Sequence, residues 1–402
     1  MKKNILLAIS MMVIISCIGC KKEPKPTPQP KKESMVEIVT ETVVELEVEP
    51  EVEPQVESGK ALDKKIGSML MVGFMGTSAP QGSQICNDIL NYNLAGVILF
   101  DVNPVNHSQP KNIYSKEQVR TLTEELQACS EDGKLLIAVD QEGGGVQRLK
   151  RKYGFYGRFP KARDVRRKSE VQVRTEYFKM GEELNSVGIN YNLAPVVDLA
   201  INKRNKIIYK YGRSFGSNPK DVAKYSSIFI SAMRSNGVLS AVKHFPGHGS
   251  SLGDTHKGFV DVTNLWNKKE LEPYRLLSER GVIDTVMVAH VFNKRLDAEY
   301  PATLSKKIVN GLLREEIGFD GVVITDDLQM GAIGNYSLRD RLRLTIGAGN
   351  DILLFGNQLS VKNMVTTQNL VETVKDMVYS GEVNLEDIER SNDRMEILKG
   401  GL

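Results

Sequence analysis

The stretch Gly-Val-Val-Ile-Thr-Asp-Asp-Leu at residues 321–328 shows the pattern that decides the fold. It is a short apolar run that ends in two carboxylates. An unbroken apolar run of this length is typical of a strand buried on both faces of a parallel sheet. Six further apolar runs occur along the chain, at 96–100, 135–139, 189–197, 238–242, 285–289 and 352–355. Charge-rich stretches with helical spacing lie between them, so the sequence predicts an α/β fold with right-handed crossovers.

Polar residues at the ends of the runs favour a closed barrel over an open sheet. Five runs end in charged or imidazole groups, which are Asp140 and Glu142, Asp198, Lys243 and His244, His290, and Asp326 and Asp327. In a barrel the carboxyl ends of all strands meet at one mouth, whereas in an open sheet such groups concentrate at one switch point. We therefore predict a (β/α)₈ barrel in a single catalytic domain. The eighth strand is left open, because residues 62–74 have helical spacing and the segment 69–74 fits either a strand or a helix.

The N-terminal residues carry an export signal. Two lysines precede an uncharged apolar run at 5–18, which is typical of a secretory signal peptide. The residues before Cys17 resemble a bacterial lipobox, whose cysteine becomes acylated, and Cys20 is a second candidate. A plain cleaved signal peptide is the alternative. We predict a signal peptide at residues 1–20 and an exported lipoprotein of the cell envelope, held at the membrane by its acyl chain.

The composition changes twice along the chain. Residues 21–58 are rich in lysine, proline and glutamate and cannot bury a core, so we predict a disordered tether there and a barrel domain at 59–402. The net charge of +3 over 402 residues is too small and too dispersed to argue for a nucleic-acid partner. Only Cys86 and Cys129 remain beyond the signal, and two cysteines do not make a disulfide framework.

The loop at residues 243–256, Lys-His-Phe-Pro-Gly-His-Gly-Ser-Ser-Leu-Gly-Asp-Thr-His, contains three of the five histidines of the chain. Such a concentration of titratable groups indicates either a metal site or acid–base catalysis. The possible zinc ligands are His244, His248, Asp254 and His256. A helical His-Glu-x-x-His motif is impossible with a proline and glycines inside the loop, so we predict no metal and no cofactor.

Asp254 and His256 form the acid–base candidate. On an extended loop, an aspartate two residues before a histidine places both side chains on the same side, where the carboxylate orients the imidazole. The glycines before this pair predict a flexible span at 246–253 that closes over a bound ligand.

Two carboxylates at strand ends are candidates for ligand contact or catalysis. The glycines at 143–145 lack the spacing of a nucleotide-binding motif, and instead allow a sharp turn that brings Asp140 and Arg148 to face a polyhydroxylated ligand. Asp326 must be held by hydrogen bonds or a cation, and we predict Lys243 and Arg213 as the cations that keep it ionised. Asp327, by contrast, is expected to cap the following segment.

Five motifs together resemble glycoside hydrolase family 3, in its bacterial β-N-acetylglucosaminidase branch. They are Ala-Val-Asp-Gln-Glu-Gly-Gly at 138–144, Asn-Leu-Ala-Pro-Val-Val-Asp at 192–198, Gly-Arg-Ser-Phe-Gly at 212–216, Lys-His-Phe-Pro-Gly-His-Gly at 243–249 with Asp-Thr-His at 254–256, and Thr-Asp-Asp-Leu-Gln-Met at 325–330. The resemblance extends from about residue 62 to 360. The sequence departs from it at Gly145, where relatives commonly have arginine, at Thr255, where serine is usual, and at the residues 209–211.

The resemblance implies a retaining glycosidase with a barrel domain. By it, Asp326 is the nucleophile and His256, supported by Asp254, is the general acid/base. The residues that align with those binding the terminal sugar are Asp140, Arg148, Arg213, Lys243 and His244, and His248 aligns with a position that is structural for the loop. The expected substrate is a terminal β-linked N-acetylglucosamine of the cell wall, the expected partners are this carbohydrate and the membrane, and a monomer is expected. A β-glucosidase or β-xylosidase of the same family, which normally lacks the Asp-x-His loop, and a non-catalytic sugar-binding lipoprotein are the alternatives.

Overall fold

The computed structural model describes residues 59–401 and confirms the predicted barrel. Its eight parallel strands are β1 (Leu70–Val72), β2 (Gly96–Ile98), β3 (Leu136–Val139), β4 (Tyr191–Asn192), β5 (Leu239–Phe245), β6 (Thr285–Val288), β7 (Val322–Thr325) and β8 (Leu353–Phe355). They follow one another around the barrel in the order β7-β6-β5-β4-β3-β2-β1-β8. A parallel bridge between Ile324 and Ile352 joins β7 to β8 and closes the sheet.

Helices surround the barrel. Several have a hydroxyl or amide side chain at the N-terminus that accepts a backbone N–H, such as Ser115, Ser169 and Asn218. The α-helices are α1 (Gly59–Gly67), α2 (Gln84–Tyr92), α3 (Lys116–Ala128), α4 (Ala162–Val165), α5 (Glu170–Asn185), α6 (Pro219–Arg234), α7 (Glu272–Ser278), α8 (Leu338–Ala348), α9 (Thr367–Tyr379) and α10 (Leu385–Gly400). A π-helix, Lys307–Glu316, takes the helix position between β6 and β7.

The strands are mostly apolar and are buried on both faces. One set of side chains, which includes Met71, Ile98, Ala138 and Met287, packs with others inside the barrel. The alternate side chains, such as Val97 and Ile137, pack outward against the helices in a larger cluster.

The helical spacing of residues 62–74 does not describe one helix. Helix α1 ends at Gly67 and the chain continues as strand β1, which is the eighth strand that the sequence left open. A Cβ atom on Gly67 would lie 1.7 Å from the carbonyl oxygen of Tyr92, so only glycine permits this close approach where the helix ends.

A disulfide that the sequence did not predict joins two helices on the outside of the barrel. It links Cys86 of α2 to Cys129 at the end of α3, with their Cα atoms 5.2 Å apart. No helix within residues 59–401 is both long and apolar enough to cross a membrane. The predicted signal peptide, the candidate acylation sites Cys17 and Cys20, and the tether at 21–58 lie outside the described residues.

Candidate active site

A cavity of about 300 Å³ lies at the carboxyl ends of the barrel strands. Of the side chains predicted to act on or bind a ligand, those that line it are Asp140, Arg148, Arg213, Lys243, His244, His256 and Asp326. Asp254 is not part of the lining but contacts His256. The barrel therefore brings together residues that are as much as 186 positions apart in the chain.

Asp140 follows strand β3 and accepts from two cations. Lys243 Nζ lies 3.0 Å from its Oδ1 and Arg148 Nη2 lies 2.9 Å from its Oδ2. The segments Gln141–Gly143 and Val146–Gln147 pair as a small antiparallel hairpin, which is the sharp turn that the glycines predict, and the hairpin brings Arg148 into contact with Asp140. Burial alone would raise the pKa of Asp140, but the two cations hold it well below its usual range, so this carboxylate stays ionised.

Glu142 organises the other half of this network, and the sequence analysis did not assign it a role. Its carboxylate binds Arg213 through two hydrogen bonds of 2.8 Å and also lies 2.8 Å from Lys243 Nζ. Burial acts to raise the pKa of Glu142, but the cations lower it to about 2. The prediction that Lys243 and Arg213 hold Asp326 is therefore wrong, because both cations are paired with Asp140 or Glu142 instead. A signal was present in the sequence: Glu142 is two residues after Asp140, on the same side of an extended chain.

Asp326 follows strand β7 and is held by other groups. Its Oδ1 accepts the backbone N–H of Asp327 at 2.9 Å. Partial burial would raise its pKa, but His290, His244 and His256, together with that N–H, lower it below the usual value. Within residues 59–401 no lysine or arginine pairs with Asp326, so the nucleophilic oxygen of this carboxylate stays available.

The neighbouring carboxyl group, that of Asp327, has a raised pKa where that of Asp326 is lowered. Burial, and to a smaller extent the charge of Asp326, raises the pKa of Asp327 to about 6. Its Oδ1 accepts the N–H of Gln329 at 3.0 Å, which agrees with the capping role predicted for it. Its carbonyl oxygen lies 2.9 Å from His290 Nε2, and burial lowers the pKa of His290, so a neutral ring donates here and fixes the backbone beside Asp326.

His244 is oriented by a carboxylate that the sequence analysis noted only as a strand end. Its Nδ1 lies 2.7 Å from Asp198 Oδ2, so Nδ1 donates and Nε2 is left as the acceptor, 3.4 Å from Arg213 Nη2. Asp198 also accepts the backbone N–H of His248 at 2.7 Å. Burial lowers the pKa of His248 to about 4, so this ring is neutral and supports the loop rather than carrying a proton.

Asp254 and His256 contact each other through a turn and not through an extended loop. Asp254 Oδ1 lies 2.9 Å from His256 Nδ1 and also accepts the backbone N–H of His256 at 3.1 Å, while the Asp254 carbonyl accepts the N–H of Lys257. Burial would raise the pKa of Asp254, but the bonds from His256 lower it. The carboxylate thus orients the ring and leaves Nε2 free for proton transfer.

The glycines before this pair serve close packing, which corrects the prediction of a flexible span. A Cβ atom on Gly249 would lie 1.9 Å from the carbonyl oxygen of Leu199. The N–H groups of Gly249 and Ser250 donate to Glu270 Oε2 at 2.7 and 3.3 Å, and Glu270 is buried beneath the loop. The loop is therefore held to the barrel at its middle, and its exposed part begins near Leu252.

Two departures from the family motifs lie side by side. The position of a Cβ atom on Gly145 is 3.5 Å from the ring of Tyr211, which is an ordinary van der Waals contact, so the two positions are neighbours in the structure. Within residues 59–401 no group of three or more His, Cys, Asp or Glu side chains is arranged to hold a metal ion. Of the four possible zinc ligands of the loop, His244 pairs with Asp198, and His256 pairs with Asp254.

Comparison with known proteins places this chain in a family. Residues 61–398 match the model of the glycosyl hydrolase family 3 N-terminal domain. Beta-hexosaminidase A of Pseudoalteromonas piscicida is 32% identical over 349 residues, which cover 81% of this chain and 56% of that protein.

Solved structures give the same result. A family 3 β-N-acetylglucosaminidase from a Paenibacillus species is 32% identical with a TM-score of 0.73, covering 85% of this chain and 62% of that chain. The β-N-acetylhexosaminidase of Beutenbergia cavernae is 29% identical with a TM-score of 0.74, covering 84% and 98%. The chain thus spans little more than half of the Pseudoalteromonas protein and under two thirds of the Paenibacillus chain.

Proposed function

The chain belongs to glycosyl hydrolase family 3, and from that premise we propose that it is a retaining exo-β-N-acetylglucosaminidase that acts through a covalent glycosyl-aspartate. One observation carries the proposal. The ionised carboxylate of Asp326 and the imidazole of His256, which Asp254 orients, face the same cavity. A nucleophile and a proton carrier on one cavity are the two groups that a two-step displacement requires.

The first step forms the glycosyl-enzyme. Asp326 attacks the anomeric carbon, the glycosidic bond breaks, and His256 Nε2 gives its proton to the departing oxygen. In the second step His256 takes a proton from water, the water oxygen attacks the anomeric carbon, and the Asp326 carboxylate leaves. Two inversions at that carbon give net retention. Asp254 balances the charge of the imidazolium, which is present before the first step and forms again in the second.

The terminal sugar is bound by the ionic network on the other side of the cavity. The carboxylates of Asp140 and Glu142 are fixed acceptors, and the cations Arg148, Lys243 and Arg213 are fixed donors for hydroxyl groups. These side chains hold one another in place before a ligand arrives, so binding costs little side-chain conformational entropy. A cavity of about 300 Å³ suits one sugar ring at a chain end, which supports exo action.

We also propose a natural substrate and a cellular location for the enzyme. An exported lipoprotein acylated at Cys17 or Cys20 meets cell-wall glycan, in which N-acetylglucosamine is β-linked to N-acetylmuramic acid. The Cys86–Cys129 disulfide supports export, because such bonds persist in oxidising compartments.

A panel of 4-nitrophenyl β-glycosides tests the activity. The N-acetylglucosaminide should be hydrolysed at least about tenfold faster, by kcat/KM, than the glucoside and the xyloside. Proton NMR of the early product should show the β-anomer, as retention requires. A faster glucoside or xyloside would favour the alternative activities, and no turnover of any member would favour a sugar-binding lipoprotein.

The molecule that accepts the glycosyl group in the second step, water or phosphate, is tested separately. A neutral imidazole presents no negative charge to an incoming anion, so phosphate is able to compete with water in the second step. The same assay at high phosphate should yield sugar 1-phosphate, and its complete absence excludes phosphorolysis.

A further inference from the structure

Two segments near the active site are strongly basic. Residues 148–168 contain one acidic residue, Asp164, and ten cations: Arg148, Lys150, Arg151, Lys152, Arg158, Lys161, Arg163, Arg166, Arg167 and Lys168. Residues 203–210 contain no acidic residue and four cations: Lys203, Arg204, Lys206 and Lys210. The small net charge of the whole chain hides this concentration.

The two segments contact each other and form a second cavity, of about 250 Å³. Arg163 of helix α4 and Arg166, which directly follows that helix, line it together with Lys203, and the hydroxyl-bearing residues Ser214 and Ser217 contribute to its wall. No aspartate or glutamate among the described residues lines this cavity, and none of its three cations has an ion pair within residues 59–401.

Backbone contacts position the two arginines at the cavity wall. The N–H of Arg163 donates to the carbonyl of Gly212 at 3.1 Å. A Cβ atom on Gly216, whose φ is +145°, would lie 2.7 Å from Arg166 Nη1, so the guanidinium lies directly over a glycine. The guanidinium of Arg166 is thereby held close to the cavity wall beside Gly216.

This cavity shares a wall with the active site. Ile207 and Arg213 line the active-site cavity. Residues of the same short segment, Ile208, Tyr209 and Gly212, line the second cavity. A ligand that occupies both cavities would therefore pass only one thin segment of chain.

We propose that the cavity lined by Arg163, Arg166 and Lys203 binds an oxyanion, carboxylate or phosphate, on an extension of the glycan whose terminal sugar occupies the active site. This assignment rests on the proposed glycosidase function. Three unpaired cations around one cavity repel one another, and an anion relieves that repulsion. The planar guanidinium binds carboxylate and phosphate through two parallel bonds, which a neutral sugar does not offer.

Charge-removing variants test the site. In the site variant, Arg163→Gln, Arg166→Gln and Lys203→Gln are combined. In the matched control, three exposed lysines outside this cavity that have no ion pair within the described residues are changed: Lys269→Gln, Lys294→Gln and Lys306→Gln. The full chain is titrated with labelled poly-L-glutamate, with inorganic polyphosphate, and with phosphatidylglycerol vesicles.

We expect one of the two polymers to bind the wild type and the control equally, and the site variant at least about tenfold more weakly. Which polymer binds identifies carboxylate or phosphate as the ligand. Equal weakening in the site variant and the control, no binding of either polymer, or binding to vesicles alone overturns the proposal.

Steady-state kinetics test whether this anion site binds part of the enzyme's own substrate. For a glucosaminyl-muramyl peptide with free carboxylates, the site variant should raise KM by at least about tenfold with kcat unchanged, and for the carboxamide form of the same peptide it should not. An unchanged KM on both forms overturns the link to the glycan. Both triple variants should hydrolyse a neutral nitrophenyl substrate at the wild-type rate. If the wild type lacks that activity, the proposed function fails, while the polymer titrations still decide whether the anion site exists.

Discussion

His256 Nδ1 lies 2.9 Å from Asp254 Oδ1, and the same oxygen accepts the backbone N–H of His256. One turn of chain therefore carries both the imidazole and the carboxylate that orients it. The side chain of His256 is 52% exposed, whereas Asp326 is fixed at the end of a barrel strand. The proton carrier His256 thus lies at the exposed rim of the site, and the nucleophile Asp326 lies at the end of a barrel strand. Substitution of each residue alone therefore measures its own contribution to catalysis.

Replacement of His256 by alanine should slow the enzyme in proportion to the basicity of the leaving group. For an alkyl or sugar aglycone we expect kcat/KM to fall by about 10²–10⁴-fold, because general acid help is lost. For a 2,4-dinitrophenyl aglycone, which needs no proton, the first step should stay near the wild-type rate. The measurement is a plot of log kcat/KM against leaving-group pKa. His107→Ala, at an exposed histidine outside the cavity, is the control. A loss of equal size for every leaving group would show that His256 is not the acid.

Replacement of Asp326 by asparagine should lower kcat by at least about 10³-fold for every aglycone, because the covalent intermediate can no longer form. Asp327→Asn is the matched comparison, since the amide oxygen can still accept the Gln329 N–H and the loss should be much smaller. Mass spectrometry after incubation with a slow fluorinated glycosyl fluoride should show an adduct on the wild type and on the Asp327 variant, and none on the Asp326 variant. An adduct on another residue contradicts the assignment.

The barrel was predictable because its strands are apolar on both faces and end in polar residues at one mouth. Strand β1 was ambiguous for the same reason: a strand buried on both faces has no alternation, so Met69 continues the helical spacing of α1. What separates the two elements is the close contact of Gly67 with Tyr92, and such a contact between distant residues has no local signal.

The membership of the site was also predictable, but its pairings were not. Arg213 is 71 residues from Glu142 and Lys243 is 103 residues from Asp140. Sequence shows that cations and carboxylates follow neighbouring strands, and it does not show which oxygen each cation reaches. That choice depends on side-chain length and on the hairpin that brings Arg148 to Asp140. The sequence therefore predicted, wrongly, that Lys243 and Arg213 pair with Asp326.

The Cys86–Cys129 disulfide should contribute to stability without contributing to activity. It closes a segment with a sequence separation of 43 residues, for which the loss of unfolded-state entropy corresponds to about 4 kcal/mol. Adding a reductant should therefore lower the wild-type Tm by about 5–10 °C. The double variant Cys86→Ala with Cys129→Ala should already have the lower Tm and should not respond to reductant. Neither cysteine lines the cavity, so kcat/KM should be unchanged at 25 °C. A reductant-insensitive wild-type Tm would mean that the bridge is not formed.

Glu270 should make the stability of the domain fall as pH rises from about 4.5 to 7. The carboxyl lies beneath the loop, where burial raises its pKa from 4.5 to about 7. Between those two values the folded state holds a proton that the unfolded state has released. The favourable contribution is therefore complete below pH 4.5 and is lost as pH rises through 7, by about 3 kcal/mol in total.

Glu270→Gln isolates this contribution. The amide oxygen can still accept the N–H groups of Gly249 and Ser250, and the charge that forms on the wild-type carboxyl at high pH is absent. At pH 8 the variant should have a free energy of unfolding up to about 3 kcal/mol above that of the wild type, and at pH 4.5 the two should agree. Urea denaturation at half-unit intervals of pH measures this, with the exposed Glu279→Gln as control. Parallel curves for the wild type and the Glu270 variant would mean that Glu270 is ionised in the folded protein at all these pH values. The loop that carries His256 would then be anchored by a buried charge, and the variant should lose stability at every pH.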